Sequence, residues 1–128
     1  MTETDAAWLA GFFEGEAWFG THEYTETRNG ISYGPYVRTK LQVRQVDKDL
    51  VDAVEAITGC GRRSVQHPKQ EGWADQYEWR TTHKPDIVRI VTSILPYMRG
   101  QRRIDEATRL LTAAQAPRKI DRRTLDSE

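Results

Sequence analysis

Leu9-Ala10-Gly11-Phe12-Phe13-Glu14-Gly15-Glu16-Ala17 is the stretch from which the rest of the chain can be read. No side chain from Ala6 to Phe13 is polar, so the segment predicts a helix over residues 5–15 that is buried all round. Asp5 or Thr4 supplies an N-terminal cap. Ala7, Gly11 and Gly15 recur at every fourth position and form a small-residue stripe that lets another helix backbone approach closely. A glycine inside a helix costs about 1 kcal/mol relative to alanine, so Gly11 implies a packing reason. Glu14 and Glu16 fall at the negative end of the helix dipole, where carboxylates are disfavoured. Burial adds a desolvation cost. A positive group offsets this, and a divalent cation such as Mg²⁺, which accepts carboxylate and carbonyl oxygens, is a natural candidate. The alternative is two solvated acids where the helix exits.

Working outward, residues 17–28 alternate as a strand and 30–35, with Gly30, Gly34 and Pro35, read as a turn. Residues 36–46 alternate more cleanly. Val37, Leu41 and Val43 share one face, and Arg38, Lys40, Gln42 and Arg44 share the other. Asp47 caps a helix with Leu50, Val51, Val54 and Ile57 inward, and Gly59 stops it. Strands over 62–68 and 73–81 flank a turn near Gln70-Glu71-Gly72. Pro85 opens a third helix with Ile87, Ile90, Val91, Ile94 and Leu95 inward, and Pro96 ends it. A fourth helix over 100–114 uses Ile104, Ala107, Leu110 and Leu111. The order αββαββαα predicts an α+β domain over residues 1–114, with a polar tail at 115–128. Its sheet is four-stranded and antiparallel, with helices on one face and a polar face open on the other.

The chain has 128 residues, room for one domain, and 38% of them are hydrophobic. Nineteen basic and nineteen acidic residues cancel, which excludes a simple polycation. The charges are nevertheless segregated. Residues 1–16 carry four acids and no base, whereas 99–123 carry eight bases and three acids. Fourteen of the bases are arginine, the side chain suited to bidentate contact with phosphate or guanine. Cys60 is the only cysteine, which excludes an intrachain disulfide or a cysteine zinc site and suits a reducing cytoplasm. No apolar run approaches the roughly 18 residues of a membrane span, and the acidic N-terminus lacks the basic start of a secretory signal.

The stretch 9–17 closely resembles the motif of LAGLIDADG homing endonucleases, in the variant written LAGFFDGEG; only Ala17, usually glycine, departs from common variants. The resemblance continues through Leu41-Gln42-Val43-Arg44-Gln45, Thr58-Gly59-Cys60-Gly61 and Leu95-Pro96-Tyr97-Met98-Arg99, and covers about residues 7–112. It implies a homodimer, because a single motif supplies half a site. Ala7, Trp8, Gly11, Phe12 and Gly15 become the twofold helix contact. It further implies hydrolysis of double-stranded DNA with Mg²⁺, or Mn²⁺ in its place, at a pseudo-palindromic site, with no small-molecule cofactor and no membrane. Glu16 matches the metal-binding acid, the Gly15 carbonyl is a second ligand, and Glu14 matches the motif's structural acid. Gln45 matches a water-orienting residue. Family members often carry a lysine where Gln101 stands; Arg99, Arg102 and Arg103 flank that position and are candidate substitutes.

The polar sheet face becomes a saddle-shaped DNA-reading surface. His22, Tyr24, Glu26 and Arg28 come from the first strand, and Arg38, Lys40, Gln42 and Arg44 from the second. The second hairpin supplies Ser64, Gln66, Gln76, Glu78 and Arg80. Trp8, Trp18, Trp73 and Trp79 are assigned to core or sheet packing. Two other readings stay open: a DNA-binding protein on this fold that does not cleave, motivated by Gln101 and Ala17, and a domain whose charged face meets an acidic protein.

Overall fold

A computed structural model describes residues 1–116. The element order is α1 (Glu3–Glu16), β1 (Trp18–Arg28), β2 (Ile31–Gln45), α2 (Lys48–Thr58), β3 (Arg62–Gln66), β4 (Gln76–Thr81), α3 (Lys84–Ile94), a 3₁₀ turn (Leu95–Tyr97) and α4 (Gln101–Gln115). The αββαββαα α+β architecture is as expected. The four strands form one antiparallel sheet in the order β1-β2-β4-β3. Most of the polar tail at 115–128 lies outside the described residues; Gln115 closes α4. Among the described residues no helix is long and apolar enough to cross a membrane.

The core lies between the helices and one face of the sheet. Leu9, Phe13, Leu41, Val51, Val54, Trp79, Ile87, Ile90, Ile94 and Leu110 are fully buried there. Trp79 anchors the sheet side: its ring meets Phe13 at 5.8 Å and its Nε1 donates to the Cys60 carbonyl at 2.8 Å. Gly61, at φ +94°, is required beside it, because a Cβ there would lie 2.3 Å from Trp79 Nε1. Gly59 ends α2 at φ +67°, as the sequence predicts, and Asp47 occupies its N-cap position.

Several local expectations are corrected. Thr2, not Thr4 or Asp5, caps α1, its Oγ1 accepting from Asp5 N at 3.0 Å. The β1–β2 turn is only Asn29-Gly30, both at positive φ, as a tight two-residue hairpin demands. Gly34-Pro35 is a kink inside β2, where the ladder slips between Tyr24 and Glu26; glycine and proline mark such irregularities as readily as turns. β3 and β4 are shorter than predicted and Trp73 lies outside them. Lys84, not Pro85, opens α3. Of the four tryptophans assigned to packing, only Trp79 is buried; Trp8, Trp18 and Trp73 are 39%, 56% and 64% exposed.

The largest correction concerns α1. It is not buried all round within one chain. Leu9, Ala10 and Phe13 enter the core, while Ala7, Trp8, Gly11, Gly15 and Glu16 are exposed. Trp8 and Phe12 stack at 5.2 Å, and the helix face that runs through Ala7, Trp8 and Gly11 stands open with no polar side chain between Ala6 and Phe13.

Candidate nucleic-acid interface and metal-binding helix end

α1 delivers its last turn directly into β1, so the acids of the motif sit where the helical layer meets the sheet. Their surroundings separate them. The Glu14 carboxylate accepts the backbone N–H of Arg99 at 2.9 Å and that of Gly100, at the start of α4. These backbone donors hold its carboxyl below the ordinary glutamate range. In return, Arg103 of α4 reaches back to the end of α1. Its Nε donates to the Glu14 carbonyl at 2.8 Å, and a terminal nitrogen donates to Phe13 O at 3.1 Å and to Ala17 O. The guanidinium also lies 5.0 Å from the Phe19 ring centre. An acid occupies the positive end of one helix and a cation the negative end of the other, the arrangement that helix dipoles favour. The positive group demanded by the C-terminus of α1 is thus Arg103, supplied from 86–90 residues away in sequence.

Glu16 remains outside this clasp. It is exposed, and Arg103 binds the carbonyls of Phe13, Glu14 and Ala17 but not that of Gly15. Two residues further on, Trp18 pairs across the ladder with Gln42. Gln42 is 8% exposed, and its Oε1 has no partner among the described residues. A buried, unpaired amide oxygen is costly unless something donates to it. Gln45, three residues on, pairs with Tyr77 and has the core-facing parity of Leu41 and Val43. The exposed Glu16 carboxylate and the adjacent Gly15 carbonyl, which Arg103 leaves alone, are oxygen donors of the kind hard divalent cations take. Among the described residues no three His, Cys, Asp or Glu side chains converge.

Cross-strand register defines the opposite face of the sheet. One row runs Trp18–Gln42–Arg80–Arg62 across all four strands, and the next contains Arg44–Glu78–Ser64. His22 pairs with Arg38, and Gln66 with Gln76. The polar residues nominated from β2, β3 and β4 therefore share one face. Their availability differs. Arg38 lies 4.4 Å over Tyr24, and Lys40 lies 5.1 Å over Trp18. Glu78 is buried at 4% exposure, accepts from Ser64 Oγ at 2.8 Å and lies 3.6 Å from Arg44. Glu78 and Ser64 thus serve Arg44 within the sheet, and buried Gln42 and Glu78 are not open reading groups in the free chain. Glu26 and Arg28, beyond the slip, pair with each other at 2.6 Å.

The cations near Gln101 are mostly engaged. Gln101 Nε2 donates to Asp105 at 2.8 Å, and Arg102 pairs with Glu106 at 2.8 Å. Arg99 contributes its backbone N–H to Glu14. Trp18 and Arg62 also lie on the sheet face, and Arg103 does more than flank Gln101. Parity could have found the first two; no local pattern marks the capping role of Arg103.

The sequence matches the profile described as "LAGLIDADG endonuclease" over residues 9–105. The chain belongs to the LAGLIDADG endonuclease family. None of the curated proteins matches it. Among solved structures it is similar to the homing endonuclease I-CvuI, with 21% identity and a TM-score of 0.62, over 88% of this chain and 67% of that one. That structure is a complex with the I-CreI target in the presence of Mg, the DNA not cleaved. The group I intron-encoded homing endonuclease I-CeuI, complexed with DNA, gives a TM-score of 0.64 at 14% identity, over 89% of this chain and 55% of that one. I-TnaI, also a homing endonuclease, gives 0.59 at 20% identity, over 84% and 71%. The chain thus spans only about half of I-CeuI. At these identities the likenesses establish the LAGLIDADG fold.

Proposed function

We propose that this chain is a site-specific double-stranded DNA endonuclease that acts as a homodimer with a divalent cation, Mg²⁺ or Mn²⁺, on a pseudo-palindromic site. The observation that carries the reading is the placement of Glu16. It is exposed, and without an ion-pair partner among the described residues, where the open face of α1 runs into the polar face of the sheet. Gly11 and Gly15 support the dimer: a Cβ on either would meet nothing within 4 Å in the single chain, so no packing within the chain calls for these glycines. A twofold contact over Ala7, Trp8, Gly11, Phe12 and Gly15 brings two Glu16 carboxylates together at the axis.

Glu16 and the Gly15 carbonyl hold the cation, which when bound neutralises the scissile phosphate and lowers the pKa of a water. Gln45, which matches the family's water-orienting position, is the candidate to orient that water; Gln42, buried in the free chain, is not open to it. The sheet face, with Arg38, Lys40, Arg44 and Arg80 foremost, binds the duplex. Arg99 is the remaining candidate for charge stabilisation near Gln101. The test is a selection from randomised duplex DNA in Mg²⁺ scored for binding and cutting, repeated with Glu16→Gln. The variant binds the selected site and does not cut it; full cutting by Glu16→Gln rules the assignment out.

One observation favours a second reading, a DNA-binding protein that does not cleave. Gln101 stands where relatives often carry lysine, and it is tied to Asp105, while Arg102 and Arg103 are also engaged. Specific binding with no nicking in Mg²⁺ or Mn²⁺ across the selected pool identifies that case.

A further inference from the structure

Arg62 and Arg80 stand directly opposite each other in the β3–β4 ladder, and both are exposed on the polar face. Like charges so placed repel and weaken strand pairing. Three other sheet arginines have acidic partners, Arg28 with Glu26, Arg44 with Glu78, and Arg63 with Asp52 and Glu55, while Arg38 lies over the Tyr24 ring. Among the described residues neither Arg62 nor Arg80 has an ion-pair partner. Together they border a cleft of about 610 Å³ that also reaches Thr82, His83 and Asp86. Asp86 is already engaged, with His83 Nδ1 at 3.1 Å and Arg89 at 3.7 Å. Two facing guanidinium forks with uncompensated charge suit a single anion that accepts from both, and a phosphodiester group supplies the oxygens and the charge at once. A neutral base edge would satisfy one fork and leave the repulsion in place.

We propose that Arg62 and Arg80 form a seat for one backbone phosphate of the nucleic acid, fixing the register of the duplex without reading sequence. This rests on the DNA-binding reading of the same sheet face and names the contact made there. It adds Arg62 to the interface and reassigns Arg80 from base reading to positioning.

Two measurements on the full chain test it. The first uses no DNA: thermal unfolding in inorganic phosphate against chloride at matched ionic strength. Phosphate raises the wild-type midpoint, and Arg62→Gln and Arg80→Gln each lose that increment while unfolding no earlier than wild type in chloride. The second is affinity for a selected duplex and a scrambled one across a salt series. Each variant weakens both duplexes by the same factor and reduces the slope of log K against log salt by about 0.9, one phosphate's worth. A phosphate increment that survives in the double variant overturns the seat. So does a loss of discrimination between the duplexes at unchanged slope, which would mean base reading. If no duplex binds but the arginine-dependent increment is present, the DNA reading fails and the anion seat stands.

Discussion

Arg103→Met removes the guanidinium while keeping most of the aliphatic stem against Phe19. The side chain is 14% exposed, so water replaces its hydrogen bonds poorly. Three carbonyls lose a charged donor. Phe13 O retains a partner, because Ala17 N donates to it at 2.9 Å, so the loss falls mainly on Glu14 O and Ala17 O. Glu106 also loses Arg103 but keeps Arg102 at 2.8 Å. Two carbonyls each deprived of a charged donor cost about 1.5–2 kcal/mol apiece, giving about 3 kcal/mol, a large share of the roughly 5–15 kcal/mol that holds a domain together. For a chain of this size that is about 10–15 °C in Tm. The assay is thermal unfolding by circular dichroism at one fixed protein concentration, since association would shift the midpoint by mass action. Arg102→Met is the control. Its guanidinium is 81% exposed and makes one i,i+4 pair, worth about 0.3–0.5 kcal/mol. Arg103→Lys keeps the charge without the fork and falls between the two. Equal midpoints for Arg103→Met and Arg102→Met would refute the capping argument, because the two changes differ in what the guanidinium touches.

Gly11→Leu leaves the fold of the single chain intact, since nothing lies within 4 Å of the added Cβ, and removes the dimer; sedimentation velocity reads this, and a wild type that is monomeric with DNA bound sinks the shared site. Gly61→Ala drives a methyl into Trp79 at a positive φ and costs about 2–4 kcal/mol in urea unfolding; an unchanged midpoint would show that the Trp79–Cys60 contact is dispensable. Asp52 accepts from Lys48 and is paired with Arg63, which holds its carboxyl below the ordinary value of 3.8. Its stabilisation is therefore present above that value and is lost as pH falls through the lowered one. The Tm gap between wild type and Asp52→Asn closes in that acid window, and a gap that persists below it excludes this cause.

Periodicity carried much of the fold because each element has one dominant face. α2 and α3 show their core positions at helical spacing, and β2 alternates without interruption from Val37 onward. Periodicity does not decide where one residue type serves two backbones. Gly34-Pro35 punctuates a turn or a bulge equally well, and the choice was made by the ladder with β1. Trp18 has the apolar bulk of a core residue, but its register with Gln42 places it on the open face.

The first helix shows why sequence reached the site but not its support. Its composition states two demands: an apolar surface to be covered on every side, and a cation for its acidic end. One chain meets each demand only in part. The core covers Leu9, Ala10 and Phe13 and leaves the Ala7–Gly11–Gly15 stripe open. Arg103 satisfies the backbone carbonyls and α4 satisfies Glu14, yet neither reaches Glu16. What remains unsatisfied is a small-residue face and one carboxylate at its end, both on the same helix. A second copy applied to that face would cover the stripe and double the carboxylate in a single step. For a chain that cuts DNA, the dimer test with Gly11→Leu and the metal test with Glu16→Gln are therefore linked: a Gly11→Leu chain that still cuts DNA as a monomer would break the link between them.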